Sequence, residues 1–477
     1  MSKYLVTIGL ETHVQLKTAT KMFCGCSLKF GDEPNTNVCP ICLGYPGALP
    51  VTNREAIKLT VMSGLMLGCT INRYSTFDRK NYFYPDMSKN YQITQSPFPL
   101  CLGGGVDIET PNGPKRIRIN HIHQEEDAAK INHYARFSGV DFNRCSAPLM
   151  EIVSEPDLSS PEEALAYLQT LRQILVYAGV SDCNLEDGNM RSDVNISVRP
   201  EGQEKLGTRV EIKNMNTFKG ILAAATYGVE RQIHVLSHGG TLVQETRRWD
   251  PDQGETQSMR GKENAHDYRY FPEPDLVPIA LTKEQIEEWR AALPELPAAR
   301  RERMMAEYGI PAYDAGVLAD EKANADFFEA AARACKPGLG KTVSNWFMTE
   351  VMRLLSETGK TVGECALTPE ALAELVALAD GGVINGPTAK ELLPELFNEG
   401  GMPKAFVEAR GLAQVSDTSA LEGFISEVFA ANEKSVADYK AGKAAAAGFL
   451  VGQVMKLSKG KADPKLVGKL VAERLAQ

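Results

Sequence analysis

The 477-residue chain has no apolar run long enough to cross a bilayer. The nearest, from Ala444 to Met455, falls well short of the roughly 20 residues that a spanning helix needs. A leader pattern is also missing. Met1-Ser2-Lys3-Tyr4 runs straight into strand-like alternation, so a cytoplasmic or similarly reducing compartment is expected. Positive charge is not in excess. Lys and Arg number 52 against 61 Asp and Glu, a formal net charge of −9, so overall charge does not announce a nucleic-acid partner. A local basic surface remains compatible with one. A phosphate-binding P-loop is absent too. Gly338-Leu339-Gly340-Lys341-Thr342 imitates its end, but the motif's first glycine would fall on Cys335, and the stretch reads as a turn joining helices. Any nucleotide chemistry must therefore come from carboxylates and cations.

The length implies two to four domains, and the hydrophobic and charged fractions are those of a globular protein. Ten cysteines in a reducing compartment point to metal ligands or inert thiols, not disulfides. Cys24-x-Cys26 and Cys39-x-x-Cys42 flank twelve turn-rich residues. Four thiolates in two close pairs suit tetrahedral Zn²⁺, closed and hence structural; four unrelated buried thiols are the alternative.

Four predicted strands carry a carboxylate on a polar face. From Leu5 to Leu16, Val6, Ile8, Leu10, Val14 and Leu16 share one face, and Glu11, His13 and Gln15 the other. In Pro148-Leu149-Met150-Glu151-Ile152-Val153-Ser154, Glu151 interrupts an apolar run. A buried carboxylate must be paired, hydrogen-bonded or bound to a cation. Asp193 alternates with Val194, and Glu211 with Val210 and Ile212, with Lys213 beside it. A solvated sheet face is the competing explanation. Glu125 and Glu126 are adjacent and must point opposite ways in a strand; a break in alternation near Ile122 predicts a bulge that re-aims one of them. A concave face lined with Glu, His, Asp and Lys suits Mg²⁺ and a nucleoside triphosphate. Arg79, Lys80, Arg144 and Lys213 are basic candidates for its phosphates; the first two stand among aromatics, as also happens in an ordinary amphipathic loop.

Helices are predicted from Asn53 to Leu67 and after the cap Ser160-Pro161-Glu162-Glu163, with Leu165, Leu168, Leu171 and Leu175 as core. Pro294 and Pro297 mark a boundary. Beyond it Ser344–Leu355, Pro369–Ala379 and Leu421–Phe429 are amphipathic, with Met348 and Met352 as core. From Lys440 to Arg474 stand eight basic and two acidic residues. Lys440, Lys443, Lys456, Lys459 and Lys461 are candidates for RNA phosphates, against a plain solvated helix face. The expected fold is α+β: an antiparallel-sheet domain over 1–292, an all-α domain over 293–407 and a small helical tail over 408–477.

Gly9-Leu10-Glu11-Thr12-His13-Val14-Gln15-Leu16, Phe77 through Asp86, Asn143 through Pro156, and Asp267 through Asp275 resemble the B subunits of aspartyl/glutamyl-tRNA amidotransferases along nearly the whole chain. The resemblance implies a catalytic domain similar in fold to glutamine synthetase. It also implies a heterotrimer with an amidase subunit, which releases ammonia from glutamine, and a small third subunit. ATP and Mg²⁺ would serve to phosphorylate the side-chain carboxyl of Glu or Asp on misacylated Glu-tRNA(Gln) or Asp-tRNA(Asn), and ammonia would displace the phosphate. By the same resemblance Glu11, His13, Glu126 and Glu151 match metal and catalytic positions, Asp193 and Glu211 match acids of the same cavity, and the four cysteines match a zinc knuckle that some members lack. The tail matches a tRNA-contacting domain. Ala129 departs from the glycine usual in the family. No Ser-Ser-Lys amidase pattern occurs in the chain. Two rivals stand beside this reading: a stand-alone amide ligase acting on a free metabolite, and a non-catalytic zinc-stabilised RNA-binding scaffold.

Overall fold

Alternation along Tyr4–Gln15 is realised as a strand (β1) with Ile8, Leu10 and Val14 buried on one side. In this computed structural model, residues 3–261, 268–413, 418–440, 443, 445–458, 462 and 464–476 are described. Asp267 of the tyrosine-rich motif and Lys459 and Lys461 of the tail lie outside the described residues. The chain divides into two compact units, 1–296 and 297–477, at the proline-marked boundary.

Among the described residues of the first unit, ten strands form the main sheet. Its centre is β1 flanked on one side by Pro148–Ser154 (β3) and then Gly113–Glu126 (β2), and on the other by Met190–Pro200 (β4) and then Val210–Lys213 (β5). These pairings are antiparallel, as expected. One neighbour departs: Glu245–Asp250 runs parallel to β5. The helix Phe218–Ser237 lies between them in sequence, and a parallel pair needs such a long crossover.

Helices cover the apolar face. Arg54–Met66 (α1) starts where the Asn53 side chain accepts from the Glu55 and Ala56 amides. Pro161–Tyr177 (α2) starts at Ser160, whose hydroxyl accepts from the Glu163 amide. Only half of the expected capping box forms. The Glu163 carboxylate reaches Ser159 and Lys115 instead. Leu168, Leu171 and Leu175 are fully buried, as expected, while Ala164 and Tyr167 join them and Leu165 stays half-exposed. The 3.6-residue repeat centres the buried stripe on Ala164, one position before Leu165, which leaves Leu165 at its edge. Each buried leucine stabilises the fold by about 1.5–3 kcal/mol.

The expected bulge is present. Opposite Ser154 the partner is Ile119, but opposite Val153 it is His121, so β2 carries one extra residue at Asn120. Before the bulge the core-facing residues are Ile117 and Ile119; after it, Ile122. The parity has flipped. His123 and Glu125 thereby turn to the polar face, and Glu126 turns away from it.

The second unit is helical. The expected Ser344–Leu355 helix runs as Gly340–Trp346, a π-helical turn Phe347–Val351, and Met352–Thr358. Met348 and Met352 are half-buried against a core built around Phe328, Phe347 and Phe397. Gly338 takes the left-handed turn (φ +89°) before Gly340 opens the helix, so the P-loop mimic is a helix junction. Thr418–Ala431 and the helices after it enclose a second cluster around Leu421, Ile425, Leu450 and Val471. No helix among the described residues is long and apolar enough to cross a membrane.

Candidate active site

Residues that alternate with the core side of β1, β3 and β4 converge across the sheet. Glu151 on β3 stands opposite His13 on β1. His123 on β2 stands opposite Glu151. On the other side Asp193 of β4 faces Glu11, and Glu211 of β5 faces Asn195. The result is two groups of ligand atoms. His13, Glu125 and Glu151 form one, and Glu11, Asp193 and Glu211 the other; within each, the atoms lie within 4.8 Å of one another.

In the first group His13 Nε2 lies 3.4 Å from Glu151 Oε2 and 3.5 Å from Glu125 Oε1. His123 Nε2 is 3.4 Å from the same Glu151 oxygen. Burial alone would lower the His13 pKa, but the hydrogen bond to Glu151 and the charge of Glu125 raise it to about 9. Glu151 is held far below the usual carboxylate range: His13, His123 and Lys80 outweigh its burial. Burial, with repulsion from Glu151, lifts Glu125 to about 7 against the pull of His13. His123 is pushed down to about 4 by burial. Such crowding of acids out of water is not the state of a solvated sheet face.

The second group is acid-rich. Burial and the neighbouring Glu151, Glu211 and Asp193 all raise the Glu11 pKa. Asn195 Nδ2 donates to Glu11 Oε1 at 3.0 Å. Lys213 joins the group, with Nζ 3.3 Å from Glu211 and closer to Asp193.

The other candidates fall into different places. Glu126 does not join His13 and Glu151. It lies on the opposite face of β2, fully buried, paired with Lys89 and accepting from the Ile93 amide at 2.9 Å. The bulge is the reason, and Glu125 occupies the place expected for Glu126. Counting parity onward from Ile122 would have found this in the sequence. Arg79 is engaged elsewhere, donating twice to buried Glu273 at 2.7 and 2.8 Å and lying over the Tyr91 ring. Lys80 does approach the site. Its Nζ lies 4.9 Å over the Tyr268 ring, and Glu125 and Glu151 raise its pKa despite burial. Arg144 is tied down by the Ala128 and Ala129 carbonyls and by Asp127 at 3.3 Å. Ala129 has no positive φ, so the backbone there does not call for glycine's conformational freedom.

Sequence reasoning missed three neighbours besides Glu125. His123 lay one parity count away. Arg191 stands opposite His13 and donates to Asp127 at 3.0 Å; two residues before Asp193 on the same strand, it shares that residue's face, which is the signal that marks it. Lys21 lies fully buried beside the cysteines, with nothing in its local pattern to show it.

Cys24, Cys26, Cys39 and Cys42 do come together, their sulfurs within 4.8 Å of one another. The Cys24 thiol, the Cys39 amide and Lys21 hold Cys42 down to about 4 against its burial. In the tail, Lys440 and Lys456 are exposed at helix ends, and Lys443 pairs with Asp438 at 3.0 Å.

The architecture is that of an acid-lined sheet that brings two carboxylate clusters together, joined to helical segments. Residues 6–287 match the family described as the GatB/GatE catalytic domain, and residues 326–475 match the GatB domain. A relative from Caldanaerobacter subterraneus subsp. tengcongensis, named as the B subunit of an aspartyl/glutamyl-tRNA(Asn/Gln) amidotransferase, is 53% identical over all of both chains. Relatives of the same name from Geotalea uraniireducens and Thermodesulfovibrio yellowstonii are each 50% identical, over 99% and 100% of both chains. The chain belongs to this family of amidotransferase B subunits.

Proposed function

We propose that this chain is the ATP-using subunit of a glutamine-dependent tRNA amidotransferase, and that the two carboxylate clusters are its reaction site. The observation that carries the reading is the convergence of His13, Glu125 and Glu151 with Glu11, Asp193 and Glu211 on one half-buried sheet face. A half-buried acidic set with one histidine fits hard divalent cations, Mg²⁺ in particular. Bound there, Mg²⁺ supplies charge neutralisation for the transferring phosphoryl group.

The chain's own residues have separable tasks in this reading. Glu11, Asp193, Glu211, Glu125, Glu151 and His13 are the ligands. Lys213 orders the second cluster, and Lys80 brings positive charge towards the first. A side-chain carboxylate of Glu or Asp on misacylated tRNA attacks the γ-phosphorus of ATP, giving an acyl phosphate and ADP. Ammonia then attacks the acyl carbon, and phosphate leaves with the bonding pair. The acyl phosphate hydrolyses if water reaches it, so burial of the site protects the intermediate. Ammonia comes from an amidase partner, with a small third subunit completing a heterotrimer, and the whole works in the cytoplasm. The cysteine cluster is a structural Zn²⁺ site. The chain is read as three domains, 1–292, 293–407 and 408–477, the last contacting tRNA through exposed lysines such as Lys440 and Lys456.

The test is ATP hydrolysis by the chain with its partner subunits, with and without misacylated tRNA. Wild type should respond to the RNA and Glu11→Gln should not. Equal, RNA-independent turnover in both would refute the site assignment. Amidation of free glutamate without RNA would favour a stand-alone ligase.

A further inference from the structure

Lys21 is a fully buried ammonium beside the cysteine cluster. Among the described residues its Nζ donates to Cys42 Sγ at 3.6 Å and to the Phe142 carbonyl oxygen at 3.0 Å, and no carboxylate pairs with it. The main chain that carries it is held in place. Its own amide donates to the Cys26 carbonyl at 3.1 Å, and the next amide, of Met22, to the Ser146 carbonyl at 2.7 Å. A buried charge without a partner of opposite sign is strongly disfavoured. Four neutral thiols would leave Lys21 in that state.

Disulfides would leave it there as well, and the geometry excludes one at Cys39–Cys42. Those sulfurs stand 3.9 Å apart, against about 2.05 Å for an S–S bond. The separation is close to the edge of a tetrahedron whose metal–sulfur distance is about 2.3 Å, which is about 3.8 Å. Four thiolates around a divalent ion carry a net charge of minus two, which an ammonium partly neutralises. Cys42 is the sulfur best prepared to hold that charge, because the Cys39 amide also donates to it at 3.2 Å.

We propose that Lys21 is the built-in counter-charge of a divalent tetrathiolate centre, and that this chain holds such a centre because its fold has buried the matching ammonium. Lys21 acts as a positioning residue: it touches a ligand and not the ion. The inference rests on the metal reading of the cysteine cluster and is independent of the carboxylate site.

The experiment compares the full chain as wild type, Lys21→Arg, Lys21→Met and Lys21→Gln. Zinc content is measured after purification, and Co²⁺ is titrated against a competing chelator by its thiolate charge-transfer absorption. Wild type should take up one ion with a tetrahedral tetrathiolate spectrum, and Lys21→Arg should retain most of the affinity. Lys21→Met and Lys21→Gln keep all four ligands but should bind roughly 10–100-fold more weakly, the usual cost of losing a group that supports a ligand. Two neutral variants of different polarity guard against misfolding of either one, which circular dichroism reports. Affinities equal to wild type in a folded neutral variant would overturn the role of Lys21. A wild-type chain that gives no tetrathiolate spectrum would overturn the centre itself, leaving the carboxylate reading untouched.

Discussion

His13 Nε2 and Glu151 Oε2 stand 3.4 Å apart on directly paired positions of two neighbouring antiparallel strands. The pair locks two side chains, from stretches about 140 residues apart in sequence, into one site. The same paired row continues to Arg191 on one side and His123 on the other. Because strand register sets these contacts, the site is as rigid as the sheet itself.

Glu11→Gln should separate activity from stability. Glu11 is half-buried, and its burial together with Glu151, Glu211 and Asp193 opposes its charge more than Lys213 supports it. Removing the charge should leave the melting temperature of the ion-free chain equal to or above wild type. Aminoacyl phosphorylation should fall by about 10²-fold or more. A clear drop in melting temperature with activity retained would contradict both halves.

Glu125 and Glu126 should behave oppositely. Glu126→Ala leaves Lys89, a largely buried ammonium, without its counter-ion and should cost about 3–5 kcal/mol in chemical denaturation. Glu125→Gln should unfold at a denaturant midpoint close to wild type but lose cation binding, measured by Mn²⁺ titration. The reverse pattern would place Glu126 at the site instead.

Acid should reveal the Lys115–Glu163 tie between β2 and α2. Glu163 is partly buried, but Lys115 and the Ser159 amide and hydroxyl together hold its pKa below the ordinary 4.5. With a depressed folded pKa, its stabilisation is present above about pH 4.5 and disappears as pH falls through the lower folded value. The stability gap between wild type and Glu163→Gln should therefore be largest near neutrality and close below pH 4.5, followed by urea denaturation from pH 7 to 3. A gap that widens on acidification would reverse the sign.

Gly228 lets α3, the helix Phe218–Ser237, sit close to the sheet. A Cβ there would meet Ile212 Cδ1 at 2.7 Å and Ile196 Cδ1 at 2.8 Å. Gly228→Val should destabilise the first unit by about 1–3 kcal/mol through overpacking. The melting transition reports it; a neutral result would mean that the two isoleucines repack freely.

Legibility followed periodicity. Strand faces of β1, β3 and β4, the capped starts of α1 and α2, and the cysteine pairs were readable because each is a local pattern with a local cause. Which of Glu125 and Glu126 lies beside Glu151 was not readable in the same way, because one extra residue at Asn120 inverts every later side chain on β2. The expected phosphate role of Arg79 met a competitor at Glu273, 194 residues away, which no local pattern reveals.

The amino-acid order by itself determined which residue types lie on each strand face and where helices start, since these depend on neighbours a few positions away. Tertiary structure alone decided which acids meet, that Glu211 and Lys213 close one group while Glu125 completes the other, and that Lys21 is sealed against Cys42. Those contacts arise from strand order and register across distant segments, and the cost of burying charge is settled only when the partner from elsewhere in the chain arrives.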